Sequence, residues 1–274
     1  NDRPGTMLAS AARTYLNRFG ATPGHKTVLF TNNDGAYRTA LDLLEAGATV
    51  AAIVDLRAEP KGELAQAARA KGIELLAGHA ITGTAGHKRI KGVKVMALNA
   101  AGDSVGGGAR QIDCDALLVS GGWNPTVHLY SQSRGSLKFD EAISSFVPDR
   151  PHEATLTAGA INAAFRTSDC LAQGFAAGSQ AAKAAGFDEN AGSAPSLTSP
   201  EPAEEPLRPI WLVPSDKPLG QGGKHFVDHQ NDVTAADVAL ANREGYRSVE
   251  HLKRYTTMGM GTDQGKTSNV NALA

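Results

Sequence analysis

Residues 26–55 constrain the fold more than any other stretch. Residues 27–31 (Thr-Val-Leu-Phe-Thr) have the composition of a short buried strand, residues 36–45 carry a helical pattern closed by Gly47, and residues 49–54 (Thr-Val-Ala-Ala-Ile-Val) form a second strand pattern ending at Asp55. A strand, a helix and a strand within about 30 residues, with an acid at the tip of the second strand, have the layout of a dinucleotide-binding half-domain. A helix pattern over residues 63–71 and a strand pattern over 73–76 continue the alternation, which predicts a doubly wound, Rossmann-like α/β domain.

The phosphate-binding turn of that layout is altered. Three glycines ordinarily give it a tight turn, close approach of backbone to pyrophosphate, and close packing of helix on strand. The three positions here hold Thr31, Asn33 and Ala36. Alanine is acceptable at the third. Asn33 tolerates positive φ but puts a side chain where phosphate lies, and Thr31 is β-branched at the turn. The unit therefore reads as a scaffold with a degenerate fingerprint, and Asp55 as a ribose acid that has lost its ligand.

The rest of the chain is less regular. A first helix is expected over residues 7–19, ended by Gly20 and Pro23. Beyond the alternating region, strands over 79–84 and 92–98 are joined by Gly-containing turns at 86–91 and 100–108, and residues 115–120 form a buried strand running into Gly121-Gly122. Residues 155–158 read as strand, Gly159 as a turn, and 171–185 as a helix of small residues. Seven of the 13 prolines lie between Pro195 and Pro218, which predicts an extended linker over 187–223. Thr234 and Ser248 look like N-caps of two helices, Gly245 stops the first, and the chain from Tyr255 reads as loop.

Composition excludes several functions. With 27 Lys plus Arg against 28 Asp plus Glu, the net charge is -1, so no basic field exists to hold a nucleic acid or an acidic membrane. No apolar run approaches the roughly 18 to 20 residues of a membrane span, and the start lacks the regions of a signal peptide, so a cytoplasmic protein is expected. Cys114 and Cys170 are far apart and lack metal-ligand spacing, which argues against a disulfide scaffold, a zinc site or an iron-sulfur cluster. No nucleophile-and-base constellation is present, and His128, His225 and His229 read as surface or core hydrogen-bonding histidines.

Three sets of residues carry a family resemblance. The meander followed by Ser120-Gly121-Gly122-Trp123-Asn124-Pro125 resembles the return crossing of flavoproteins with two dinucleotide-binding domains. The runs Val233-Thr234-Ala235-Ala236-Asp237, Arg243 to Thr256, and Gly259-Met260-Gly261-Thr262-Asp263-Gln264-Gly265-Lys266-Thr267-Ser268-Asn269 resemble the small [2Fe-2S] domain of bacterioferritin-associated ferredoxins, with Asp263 and Ser268 where its second cysteine pair stands. No cysteine occurs in residues 226–232 for the first pair. A four-thiolate cluster is therefore not expected. The cysteine-free form, the Asn-Asp-Arg-Pro-Gly start and the Gly-Lys-Thr-Ser-Asn-Val-Asn-Ala-Leu-Ala end together resemble the alpha-subunit family of bacterial heterotetrameric sarcosine oxidases.

That resemblance implies an internal piece of a much longer chain, lacking a Gly-rich N-terminal half and a folate-binding C-terminal domain. The implied division is a lead-in helix of the outer domain over 1–25 and an inserted NAD-type domain over 26–113. The second half of a split outer FAD/NAD-binding domain follows over 114–186, then the Pro-rich linker over 187–223 and a small helical domain over 224–274. It implies an oxidoreductase subunit without a complete active site of its own. In that family sarcosine is oxidised by O2 to glycine, with H2O2 and formaldehyde or, with tetrahydrofolate, its methylene adduct. FAD lies in the beta subunit, FMN between alpha and beta, and NAD+ in alpha; gamma and delta subunits complete the complex. Carried over by position, NAD+ contacts fall at the Gly159 turn on Ala160, then on Phe165 and Thr167. Lys266, Thr267 and Ser268 follow a glycine and offer an ammonium and hydroxyls to a flavin phosphate. Two other readings stay open: an NAD(P)H-dependent reductase using the inserted domain, and an assembly scaffold with vestigial sites.

Overall fold

The computed structural model of the chain describes residues 3–187 and 199–274. They fall into two compact units, residues 1–122 with 207–274, and residues 123–206. Part of the expected linker, residues 188–198, lies outside the described residues.

The first unit opens with β1 (Thr6–Leu8), α1 (Ala9–Phe19), β2 (Lys26–Thr31), α2 (Gly35–Glu45), β3 (Thr49–Asp55), α3 (Glu63–Ala70) and β4 (Leu75–Ala77). It continues through β5 (His79–Gly86), β6 (Ile90–Leu98), β7 (Val105–Asp113) and β8 (Ala116–Ser120). A parallel sheet has the order β1-β8-β2-β3-β4, and β5-β6-β7 form an antiparallel meander. Successive residues of a strand point to opposite faces, and the core divides accordingly. Leu29, Ile53 and Leu118 pack with Ala12, Ala36, Tyr37, Ala40, Leu43 and Ala68 of the helices. Val28, Ala52, Val54 and Leu117 pack on the other face with Ile90, Val93, Val95, Ile112 and Cys114. The chain is mixed α/β with a parallel sheet, as expected, but not doubly wound in the sense read from the sequence. The helices pack on one face of the parallel sheet and the meander, whose first two strands the sequence predicts, covers the other.

Other differences have local causes. Met7 and Leu8, expected to open the first helix, are strand residues because Thr6 and Leu8 pair with Leu117 and Val119 of β8. This places β8, and the lead-in segment with it, in the first unit, which runs on to Gly122 past the boundary expected at residue 113. The strand β7 lies across the expected loop; its Gly106-Gly107-Gly108 run is exposed and shows no apolar alternation.

The second unit contains α4 (His128–Gln132), the antiparallel pair β9 (Leu137–Asp140) and β10 (Ser145–Pro148), a 3₁₀ turn at Gly159–Asn162, and α5 (Thr167–Ala184). The short α4 and the hairpin left no clear pattern in the sequence. Residues 155–158, read as strand, join no sheet among the described residues. The helix α5 begins before residue 171 because Arg166 is extended and the chain turns helical at Thr167, and none of its residues is buried.

Returning to the first unit, β11 (Phe226–Asp228), β12 (Val233–Thr234), α6 (Ala235–Arg243), α7 (Val249–Thr256) and α8 (Asn269–Leu273) form the C-terminal part. Thr234, expected as an N-cap, and Asp237 cap α6 reciprocally, each accepting from the other's backbone N–H in a capping box. The short α8 interrupts the loop expected from Tyr255 onward. No helix among the described residues is long and apolar enough to cross a membrane.

Candidate functional site

The sequence points to three anion-binding elements, and in each the chain's own side chains take hydrogen-bond donors. The first is the turn between β2 and α2. Thr31 Oγ1 accepts from Asn33 N at 3.1 Å, and Asn33 Oδ1 accepts from Gly35 N at 2.9 Å. Asn33 Nδ2 donates to Ser120 O at 3.1 Å and to Asn32 Oδ1 at 2.8 Å. Two amides that a glycine-rich turn presents to pyrophosphate are thus satisfied within the loop. Asn33 does not use positive φ.

Asp55 is sealed beneath this turn. It is fully buried; its Oδ2 accepts from Tyr37 Oη at 2.7 Å and Arg57 Nη2 at 2.8 Å, and its Oδ1 from Arg57 N at 2.8 Å. Arg57 Nη2 also lies 2.8 Å from Asp34 Oδ1. Burial, then the neighbouring Asp55 charge and hydrogen bond, push the Tyr37 hydroxyl pKa well up, so it stays a donor. Burial alone lowers that of Arg57, but Asp55 and Asp34 outweigh it and hold the guanidinium charged. A carboxylate enclosed in this way has no lone pair facing a ribose.

The sequence reading missed Arg208. It lies in the Pro-rich segment, where charge pattern gives no hint of a fixed role, yet it straps the same sheet edge. Its N donates to Asn32 O at 3.1 Å, its Nη1 to Leu56 O at 2.8 Å, and its Nη2 to Ala100 O at 2.7 Å. A pair between Lys94 Nζ and Asp216 Oδ2 at 2.6 Å fixes the segment further along. The expected linker is therefore, over residues 207–216, part of the first unit.

The second element is the junction leading into α5. Gly159 takes φ 78°, a conformation that favours glycine, and donates its N–H to Gln173 Oε1 at 2.9 Å. Asn162 Nδ2 donates to Thr157 O at 2.9 Å, closing the turn. Ala160, Phe165 and Thr167 lie on this junction and are all exposed, Phe165 at 36%. Thr167 N donates to Glu201 Oε2 at 2.9 Å, and Arg166 Nη2 donates to Glu201 O at 2.9 Å. Glu201 also escaped the sequence reading.

The third element is the loop after α7. Thr267 N and Oγ1 both donate to Asp263 Oδ2, at 3.0 and 2.6 Å, and Gly265 N donates to Asp263 Oδ1 at 3.1 Å. The Thr267 hydroxyl and backbone hydrogen bonds hold the Asp263 carboxyl below its usual range. Ser268 is 1% exposed, so its hydroxyl faces inward and not toward a flavin phosphate, whereas Lys266 is exposed. The hairpin β11–β12 reaches the same loop: Asp228 Oδ2 accepts from Gly259 N at 2.7 Å and Gln230 Oε1 from Thr262 N at 2.5 Å. A Cβ on Gly261 would stand 2.2 Å from Gln230 Oε1 and 2.9 Å from Gln230 Cβ, so a larger residue there would displace Gln230 from its bond to Thr262. Hydrogen bonds accepted by Asp228 and Gln230 thus tie the hairpin to residues 259–262.

The family model for the sarcosine oxidase A3 domain matches residues 222–274. The chain is 41% identical over 276 residues to the sarcosine oxidase subunit alpha of Corynebacterium sp. (strain P-1), covering 100% of this chain and 28% of that protein. It is 41% identical over 277 residues to the same subunit of Corynebacterium sp. (strain U-96), again 100% of this chain and 28% of the other. The chain thus spans little more than a quarter of these relatives. Among solved structures, the L-proline dehydrogenase from P. horikoshii matches 99% of this chain and 48% of its own with a TM-score of 0.61 at 17% identity, a likeness of fold. From end to end the chain is similar to sarcosine oxidase alpha subunits, the family its terminal motifs resemble.

Proposed function

We propose that a chain so similar to sarcosine oxidase alpha subunits is the nucleotide-binding middle of one, an oxidoreductase subunit without a complete active site of its own. The whole complex takes sarcosine, O2 and water to glycine, formaldehyde and H2O2, or passes the one-carbon unit to tetrahydrofolate through a domain beyond this chain. Amine oxidation proceeds on FAD in the beta subunit, FMN lies between alpha and beta, and gamma and delta complete a heterotetramer. The observation that carries this reading is the identity across the full chain to two subunits of that name.

Within this chain, NAD+ is placed at the junction of Gly159, Ala160, Phe165 and Thr167. Ala160, Phe165 and Thr167 are exposed in the second unit, whereas Thr31 and Asn33 of the fingerprint turn are buried and Asp55 is enclosed. Arg166 Nε beside them is buried without a partner, a donor that an anionic ligand would satisfy. The exposed flank of α5 and the junction await the other half of the outer domain, which completes the nucleotide site. Of the three residues proposed for FMN phosphate, Lys266 is the one with its cation exposed; Thr267 is engaged by Asp263 and Ser268 is buried. The sealed Asp55 speaks against a reductase that uses the inserted unit.

Mass spectrometry of small molecules released from the native complex tests the proposal. It should yield NAD+ and flavin. Release of flavin without any nicotinamide nucleotide would leave the junction without its ligand and favour the scaffold reading.

A further inference from the structure

We infer that Glu201 is an intrachain gate on the nucleotide junction, an anion mimic that a bound nucleotide displaces. The inference rests on the NAD+ reading of Thr167 given above and adds a regulatory residue to it. Its carboxylate straddles the start of an 18-residue helix: Oε2 accepts from Thr167 N at 2.9 Å and Oε1 from Thr167 Oγ1 at 3.3 Å. These are the N–H and O–H that the junction offers a ligand, and the positive end of the α5 dipole favours whichever anion lies on them. The fit is incomplete. Arg166 donates Nη2 to the Glu201 carbonyl at 2.9 Å, but its Nε is buried with no partner. A carboxylate on Thr167 thus leaves one adjacent charged donor unmet, and a larger anion reaching both Thr167 and Arg166 would satisfy it.

Glu201 lies on the 199–206 stretch of the second unit, which carries no regular secondary structure. Moving it therefore breaks no helix or strand among the described residues. Two donors cannot serve the carboxylate and a nucleotide together, so affinity is set by the difference between the two occupants.

The test uses the full-length subunit in its complex, stripped of nucleotide, with NAD+ affinity measured by calorimetry for E201A, E201Q, T167V and the parent protein. Hydrogen bonds to charged groups are strong enough that E201A should bind NAD+ at least about fivefold more tightly. E201Q, whose amide is a weaker acceptor, should fall between E201A and the parent, and T167V should bind more weakly than the parent. Protease cleavage within 199–206 should also rise when NAD+ is added to the parent. Unchanged or weaker binding in E201A and E201Q, with T167V weakened, overturns the gate and leaves the junction standing. No response in any variant overturns the junction as the NAD+ site, and the gate with it. Tightening in E201A without weakening in T167V also overturns the gate, because its action would not pass through Thr167.

Discussion

Arg208→Ala should release the 207–216 segment from the sheet edge of the first unit. The substitution removes two short hydrogen bonds from a charged donor, to Leu56 O at 2.8 Å and Ala100 O at 2.7 Å, and leaves the backbone bond to Asn32 O at 3.1 Å. Bonds to charged groups contribute about 1.5–3 kcal/mol each, and because Arg208 is half-buried solvent screening brings the pair to or below twice the low end, about 2–3 kcal/mol. The Leu56 carbonyl, on a residue 5% exposed, also loses the acceptor role it has in the parent. Local opening then becomes roughly 30- to 150-fold more frequent. Hydrogen exchange at the Arg208 amide reads this directly. Arg208→Lys is the control: one ammonium cannot span both carbonyls, so its exchange should lie between parent and alanine variant. Exchange in Arg208→Ala within about twofold of the parent would mean the guanidinium contributes almost nothing, and the strap account fails.

Glycine at Thr31 and Asn33 together should lower stability by about 2–4 kcal/mol, more than backbone freedom alone, because Asn33 forfeits its bonds to Gly35 and Ser120; thermal denaturation of the parent complex checks this. Tyr37→Phe removes the buried bond to Asp55 and should flatten the alkaline limb of stability. The folded Tyr37 pKa lies above its unfolded value, so the stability it confers is full below about pH 10 and is lost as the unfolded tyrosine ionises at higher pH. A parent and a Phe variant with parallel melting curves from pH 8 to 11 would contradict that. Asp228→Asn addresses the acid limb. Burial raises the Asp228 pKa, but backbone N–H groups of Asn231, Gly259 and Gln230 outweigh it and hold it below the usual value, so its stabilisation is present above about pH 4 and is lost as pH falls through the folded pKa. The Asn variant should melt earlier at pH 6 and show a shallower decline toward pH 3.

Much of this was legible in the sequence, and the omissions share a cause. The βαβ unit was readable because β2 and β3 are buried on both faces and spell continuous apolar runs. The replaced glycines at Thr31 and Asn33 announced an altered turn, since backbone approach to phosphate depends on residue type. The strand β7 was not readable, because an exposed edge strand built on Gly106-Gly107-Gly108 has no hydrophobic period. Nor was the second layer of the first unit, since apolar alternation in β6 says which face is buried and not what covers it. Arg208 and Glu201 act far from their partners in sequence, on Leu56 and Thr167, and a charged residue in a Pro-rich stretch looks like any solvated one until the chain is folded.

The central claim is that nucleotide belongs to the Thr167 junction and not to the Thr31–Asn33 turn. NAD+ retained by the native complex after exhaustive dialysis decides it, compared among the parent, Thr167→Val and Asn33→Gly. The account predicts roughly two- to tenfold weaker retention in Thr167→Val, the worth of one neutral hydrogen bond, and unchanged retention in Asn33→Gly. Loss of NAD+ in Asn33→Gly with full retention in Thr167→Val would place the nucleotide in the first unit and contradict it.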